Sequence, residues 1–338
     1  MKHEIRILLL LYVLIWALAW SAAGRRADAS EPDAPPDEPP AAAETAVGGK
    51  PDAEVRLRVL HDGRIEEMAM DDYLRGVLRA EMPASFELEA LKAQAIAART
   101  YTYYKMQRGP IANHPDADAC DDINCCKAYK TASAAAADWG SMALYYEEKL
   151  ARAVSETDAQ AILYDGEPIL AVFFSSANGH TQNAAAVWQS DLPYLQSVSS
   201  PEDETLVPNY YSVVRVPAEQ LREAVSAARP EADFSGGIES WIADVERSDA
   251  GFVTTLRVGG VRLKGNELRA MLSLRSPSFT VEREGDAFVF RVTGYGHGVG
   301  MSQYGANAMA MQGADAAEIV AHYFTGARVA AYAPALAN

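Results

Sequence analysis

The chain has 338 residues, 49% of them hydrophobic, which is enough to bury a full core in one large domain or two modest ones. Its formal net charge is −16 and it has no run of clustered Lys and Arg, which argues against nucleic acid as a partner, because phosphate binding needs such clusters. Any polymer it handles is expected to be neutral or weakly charged.

In chain order, Lys2 and Arg6 precede an apolar run from Ile7 to Ala23, after which Arg25 and Arg26 restore polarity. That pattern predicts a membrane-targeting segment over residues 1–26, at the short end of what spans a bilayer. An uncleaved signal anchor is expected, although Ser21-Ala22-Ala23 offers small residues to a signal peptidase, in which case the protein is secreted. Positive charge at the extreme N-terminus favours an N-in orientation, with the rest of the chain outside the cytoplasm. Residues 27–53 are rich in Pro, Ala, Asp and Glu and predict an extended, self-repelling linker.

The folded part is expected over residues 54–330. Val55 to Leu60 alternates as a strand, the His61-Asp62-Gly63 turn follows, and a second strand to Met70 completes a hairpin. Asp71-Asp72 supply cap chemistry for a helix through Ala80, which Pro83 ends by excluding Met82 from the α region. Glu81 therefore lies at the C-terminal, negative end of a helix. A long alanine-rich helix, capped by Ser85 and running to about Gln107, comes next, and another spans Ser141 to Thr157. Strands at Ala161–Tyr164 and Ile169–Phe174 join at Asp165-Gly166. Residues 205–285 mix strands (Trp241–Arg247, Phe252–Val258) with helices (Pro217–Ala228, Lys264–Leu272) and are read as a middle inserted lobe. A strand at Phe288–Val292, a glycine-rich turn and two helices ending near Phe324 close the chain. Helices and antiparallel strands without regular alternation predict an α+β fold enclosing a cleft.

Three segments carry chemistry. The first is Glu81-Met82-Pro83 with Ala90-Leu91-Lys92-Ala93-Gln94-Ala95 and Ala97-Ala98-Arg99-Thr100-Tyr101. The second runs from Phe174-Ser175-Ser176-Ala177-Asn178-Gly179-His180-Thr181 to Pro193-Tyr194-Leu195-Gln196-Ser197-Val198. The third is Gly294-Tyr295-Gly296-His297-Gly298-Val299-Gly300-Met301-Ser302-Gln303-Tyr304-Gly305-Ala306. Together they resemble the stage II sporulation protein D family, which includes lytic transglycosylases of bacterial engulfment and related amidase-enhancer proteins. The resemblance implies a membrane anchor, catalysis by Glu81, and Arg99 in the same cleft, binding an acidic lactyl group or orienting Glu81. Taken alone, Glu81 reads as an exposed helix-end carboxylate and Arg99 as a surface cation or an ion-pair partner.

A glycosidic bond breaks when an acid protonates the leaving oxygen and the oxocarbenium-like centre is stabilised. A lytic transglycosylase manages with one carboxylate, which then takes a proton from the sugar's C6 hydroxyl as that oxygen closes onto C1. A hydrolase needs a second carboxylate, for which Glu87, Glu89, Asp191 and Asp203 are nominal candidates. Ser175, Ser176 and Thr181 read as a strand-end loop lining the cleft. His297 sits among glycines that let backbone approach a ligand, and it reads equally as a sugar contact or a hydrogen-bonded core histidine. Ser302 is a plausible N-cap for the next helix, and Ser302 and Gln303 complete the expected substrate-binding set. No nucleophile elbow surrounds either serine.

All three cysteines fall in one window with a histidine: His114, Cys120, Cys125 and Cys126. This set suits a closed, structural Zn²⁺ site, and the alternative is one disulfide with a spare thiol. Some members of the family resembled here bind zinc through two His and two Cys at this spacing; Cys125 stands where the second His is expected. The expected function is a peptidoglycan lytic transglycosylase that leaves 1,6-anhydro-MurNAc ends, working on glycan strands with a partner amidase and membrane partner proteins. The rival reading is a non-catalytic wall-binding amidase enhancer. A zinc amidase is disfavoured because four protein ligands leave no position for a catalytic water.

Overall fold

A computed structural model describes residues 49–109, 111–122, 125–188 and 191–334. The expected anchor at residues 1–26 and most of the linker at residues 27–53 lie outside the described residues. Among the described residues no helix is long and apolar enough to cross a membrane. The fold is α+β, as the unalternating pattern predicts.

Strands β1 (Arg56–His61) and β2 (Arg64–Ala69) form the expected antiparallel hairpin, with Val55, Leu57 and Val59 buried at period two. Helix α1 (Met70–Glu81) follows without a connecting turn. Met70, Tyr73, Leu74, Val77 and Leu78 recur at helical spacing on its buried face, and each fully buried Leu, Val or Met contributes about 1.5–3 kcal/mol. Asp71 and Asp72 occupy its first turn, where they favour the dipole, while the cap position is Ala69. The helix stops where expected: Met82, before Pro83, is extended at φ −132° and ψ 136°.

Helix α2 (Leu88–Met106) is buried almost all round, as its alanines allow, and forms the axis of the main core. Its cap position is Glu87, not Ser85. The short strand β3 (Ala119–Cys120) joins β1 in parallel. Helices α3 (Ala132–Trp139) and α4 (Ala143–Ser155) follow, the first unforeseen in the sequence reading. Strands β4 (Gln160–Tyr164) and β5 (Glu167–Pro168) pair around Asp165-Gly166. The expected second strand is thus short, and β6 (Phe173–Phe174) is a separate element, followed by the short helix α5 (Ala184–Trp188).

A second core runs from Val216 to Val292. It joins β7 (Tyr211–Pro217), α6 (Ala218–Ala228), β8 (Ile242–Arg247), β9 (Val253–Val258), β10 (Val261–Lys264), α7 (Gly265–Met271), β11 (Phe279–Glu284) and β12 (Ala287–Thr293). Its sheets are antiparallel, ordered β10-β9-β8 and β11-β12-β7. The chain then returns to the first core through β13 (Met301–Ser302), parallel to β6, then α8 (Gln303–Met311), α9 (Ala316–Tyr323) and β14 (Arg328–Ala331), which pairs with β4.

Candidate active site and metal centre

Glu81 is held from two sides. Its Oε1 accepts the Ala128 backbone N–H at 2.8 Å, and its main-chain carbonyl, left open at the helix end, accepts Gln303 Nε2 at 2.9 Å. The Gln303 amide also reaches Gln94 Oε1 at 3.4 Å. Among the described residues no hydrogen bond reaches Oε2. One oxygen is thus oriented and the other is available to a ligand.

Lys127 precedes Ala128 and is only 9% exposed. Its Nζ lies over the rings of Phe173 at 3.9 Å and Tyr101 at 4.1 Å, both favourable cation–π placements. Burial pulls the ammonium down to about 8, against the attraction of Glu81. The sequence reading missed this lysine, whose only signal was its place beside Cys126.

The second and third sequence segments are laced together. Ser176 and Tyr295 exchange backbone hydrogen bonds at 2.9 and 2.8 Å, Gln182 N–H donates to Gly298 O at 2.6 Å, and Met301 N–H to Val172 O at 3.1 Å. Gly300 has φ +78°, and a Cβ there would stand 2.2 Å from Val172 O, so this approach requires glycine. His297 spends both ring nitrogens in the turn: Nε2 donates to Phe173 O at 3.2 Å and Nδ1 accepts Val299 N–H at 3.2 Å. Burial, then Lys127 and Arg269, pull this histidine down to about 3, so it is neutral. Its ring touches those of Phe174 and Trp188.

Several expected substrate contacts turn out to hold the loops instead. Thr181 is fully buried, accepting Val198 N–H at 2.9 Å and donating to Gln196 O at 3.3 Å. Ser176 is 2% exposed. Ser302 is fully buried and caps α8 by accepting Gly305 N–H at 3.2 Å while its hydroxyl donates to Glu202. Gln303 is buried and acts on Glu81 as described, and Ser175, half-buried, accepts Tyr304 N–H at 3.0 Å through its carbonyl. The buried Glu202 also went unnoticed in sequence; it accepts from Ala177 N–H, Ser200 and Ser302 and ties the two loops.

Arg99 is corrected most sharply. It has no exposed surface and forms a bidentate pair with buried Asp52, Nε to Oδ1 at 2.9 Å and Nη2 to Oδ2 at 2.6 Å, with Nη1 donating to Gln160 O at 3.1 Å. A guanidinium so enclosed cannot meet a sugar; it fastens the start of the folded chain to α2.

His114, Cys120, Cys125 and Cys126 are all buried, with ligand atoms within 4.8 Å of one another. The thiols are free. His114 Nε2 lies 3.3 Å from Cys125 Sγ and 3.5 Å from Cys126 Sγ, and the two sulfurs are 3.9 Å apart. Tetrahedral Zn²⁺ bonds place such atoms about 3.5–3.8 Å apart, so the donor set fits that ion. Nδ1 donates to Ala117 O at 3.0 Å, which leaves the Nε2 lone pair facing the thiols. The centre adjoins the glutamate: Cys125 O accepts the Tyr101 hydroxyl at 3.3 Å, and Cys126 leads directly into Lys127 and Ala128.

Comparison with known sequences identifies the class of proteins to which the chain is similar. The family model described as "Stage II sporulation protein" matches residues 61–164. The chain is 37% identical over 262 residues to stage II sporulation protein D of Bacillus amyloliquefaciens, covering 78% of this chain and 74% of that one. It is 36% identical over 268 residues to the Bacillus subtilis protein of that name, covering 78% and 75%. An amidase enhancer of Bacillus subtilis is 26% identical over 310 residues, covering 77% of this chain and 40% of that protein. The chain belongs to the stage II sporulation protein D family.

Proposed function

We propose that this protein is a peptidoglycan lytic transglycosylase, cleaving the MurNAc-GlcNAc bond during the wall remodelling of sporulation, such as engulfment. Family membership supports the cell-wall role. The observation that carries the chemistry is the Glu81 carboxylate, oriented through Oε1 by Ala128 with Oε2 left to a substrate. Glu81 protonates the glycosidic oxygen, and the departing sugar leaves with that proton as a hydroxyl. The carboxylate then takes the C6 hydroxyl proton as that oxygen bonds to C1, closing a 1,6-anhydro ring without consuming water. His114, Cys120, Cys125 and Cys126 would hold a Zn²⁺ in a structural role, since four protein ligands would leave no position open for catalysis. The domain works outside the cytoplasm, tethered by its N-terminal segment, on strands prepared by an amidase.

The test is mass spectrometry of purified glycan strands digested with the folded domain. Wild type is expected to release 1,6-anhydro ends, and Glu81→Gln, isosteric and still able to accept the Ala128 N–H, to lose at least 100-fold in rate. Reducing ends would instead show a hydrolase. Unchanged glycan with intact binding would make the protein a non-catalytic amidase enhancer, the reading to which the 26% identical relative points.

A further inference from the structure

We propose that the turn joining α3 to α4 is a lipid-docking tip, which enters a bilayer surface and orients the domain there; this rests on the tethering proposed above and not on the glycan chemistry. Among the described residues ten large hydrophobic side chains are exposed, and three of them, Met142 (42%), Leu144 (73%) and Tyr145 (56%), fall within four consecutive positions. Such residues scattered singly need no explanation, whereas a contiguous group marks a contact. α3 widens the same surface, since only Ala135 of its five alanines is fully buried. Behind the tip the rings of Trp139 and Tyr145 both lean on Tyr146, with centroids 5.6 Å apart in each pair. Gly140 makes the turn at φ +56°, and a Cβ there would meet nothing within 4 Å, so the turn projects into solvent.

The chemistry of the tip selects lipid. Sugar recognition needs placed polar groups beside the rings, and Met142 and Leu144 supply none. A second copy is disfavoured by the net charge of −16 that each chain carries. An aliphatic apex over a base of Trp and Tyr suits a membrane surface instead: the apex enters the acyl boundary and the amphipathic rings sit at headgroup level. The cations nearby are engaged, Lys130 with Asp138, Arg79 with Glu147 and Lys149 with Phe86 O, so the contact is apolar and needs no anionic lipid. The tether permits this docking. Residues 24–48 separate the apolar run from Gly49, and at about 3.3 Å per extended residue they can reach far beyond α4, which measures about 20 Å. The described chain enters the fold beside the other end of that helix, where Asp52 N–H donates to Asp158 Oδ1 at 2.7 Å.

The test places an environment-sensitive fluorophore on Ser141→Cys at the tip, or on Ser235→Cys in the second core, in the full chain; both serines are exposed and the native cysteines are buried, with labelled wild type as the blank. The probe is a vesicle of phosphatidylcholine with or without nitroxide-bearing lipid. In the vesicle-bound chain, emission from position 141 is expected to move to the blue and to be quenched about twofold or more by the nitroxide, while position 235 stays in water. Adding Leu144→Glu to the tip-labelled chain should return the emission to that of the free protein with an unchanged melting profile, because Leu144 is exposed. Blue emission before vesicles are added, equal quenching at both positions, quenching that survives Leu144→Glu, or a requirement for anionic lipid overturns the proposal. A chain that floats with the vesicles yet keeps position 141 in water sinks the tip and leaves the tethering standing, and a chain that does not float sinks both. Glycan products bear only on the reaction proposed above.

Discussion

His297 has its protonation state written into its contacts. A carbonyl can only accept, so Phe173 O fixes the proton on Nε2, and Val299 N–H needs the lone pair of Nδ1. The unfolded chain binds a proton near the ordinary value of 6.5 and the folded chain only near 3. Between these values the unfolded state holds more protons, so stability rises with pH across the window and falls as pH drops through it. Above the window this residue adds no slope. Urea unfolding between pH 6.5 and 4 should show a contribution of up to about 1.4 kcal/mol per pH unit. His297→Gln, whose amide can donate to Phe173 O and accept from Val299 N–H, should remove it; equal slopes in both proteins would refute the account. Residue roles were legible where the neighbours are local. Ser302 reads as a cap from the sequence and is one, but helical periodicity cannot reveal that Arg99 meets Asp52, 47 positions away.

Helix α1 shows how an element can be legible while its use is not. Its end is fixed by Pro83 and its inner face by spacing, so both were read from sequence. Gly76, in its middle, looks like a weakness to be cured. Helix propensity alone predicts that Gly76→Ala stabilises by about 1 kcal/mol. The packing predicts the opposite sign, because a Cβ at Gly76 would stand 2.0 Å from the Tyr129 ring. That ring and the Lys130 N–H, bonded to Gly76 O at 3.0 Å, lay the segment carrying Lys127 and Ala128 along the helix. We expect Gly76→Ala to destabilise by about 1–3 kcal/mol, the usual range for overpacking. It should also reduce the proposed glycan cleavage beyond what unfolding explains, since Ala128 N–H leaves Glu81. The double variant G76A/Y129A should recover stability without recovering activity, and a thermally stabilised G76A would contradict the packing argument. The two-residue strands β3 and β13 were invisible to periodicity because each exists only through its parallel partner, whereas β6 is the far end of the strand expected at Ile169–Phe174. Likewise α3, an alanine-rich helix with only Ala135 fully buried, carries no apolar stripe.

At the scale of the molecule, the site is built where three distant parts of the sequence close on one another. α1 and α2 belong to the main core, β13 and α8 return to it after the second core, and the cysteine segment bridges them. The motifs were recognisable in sequence, but which of their side chains face a ligand was not, since that depends on how the loops interlock. The cysteine centre forms a small cluster of its own with Leu60 and Ile111, apart from the main core. Losing the proposed Zn²⁺ should therefore spare the helices and strands while freeing the segment from Cys125 to Ala128. Burial raises the Cys120 and Cys126 thiols, so unligated they would stay protonated, with no charge to hold them together. Protein purified without chelator is expected to contain one Zn²⁺ per chain by elemental analysis. Chelation under reducing conditions should leave the far-ultraviolet circular dichroism nearly unchanged, lower the thermal midpoint, and abolish the proposed glycan cleavage as Ala128 N–H drifts from Glu81. Added Zn²⁺ should restore activity, and Cys126→Ser should resemble the chelated protein without responding to zinc. A metal-free preparation that retains full activity would show instead that packing alone holds this wall of the site.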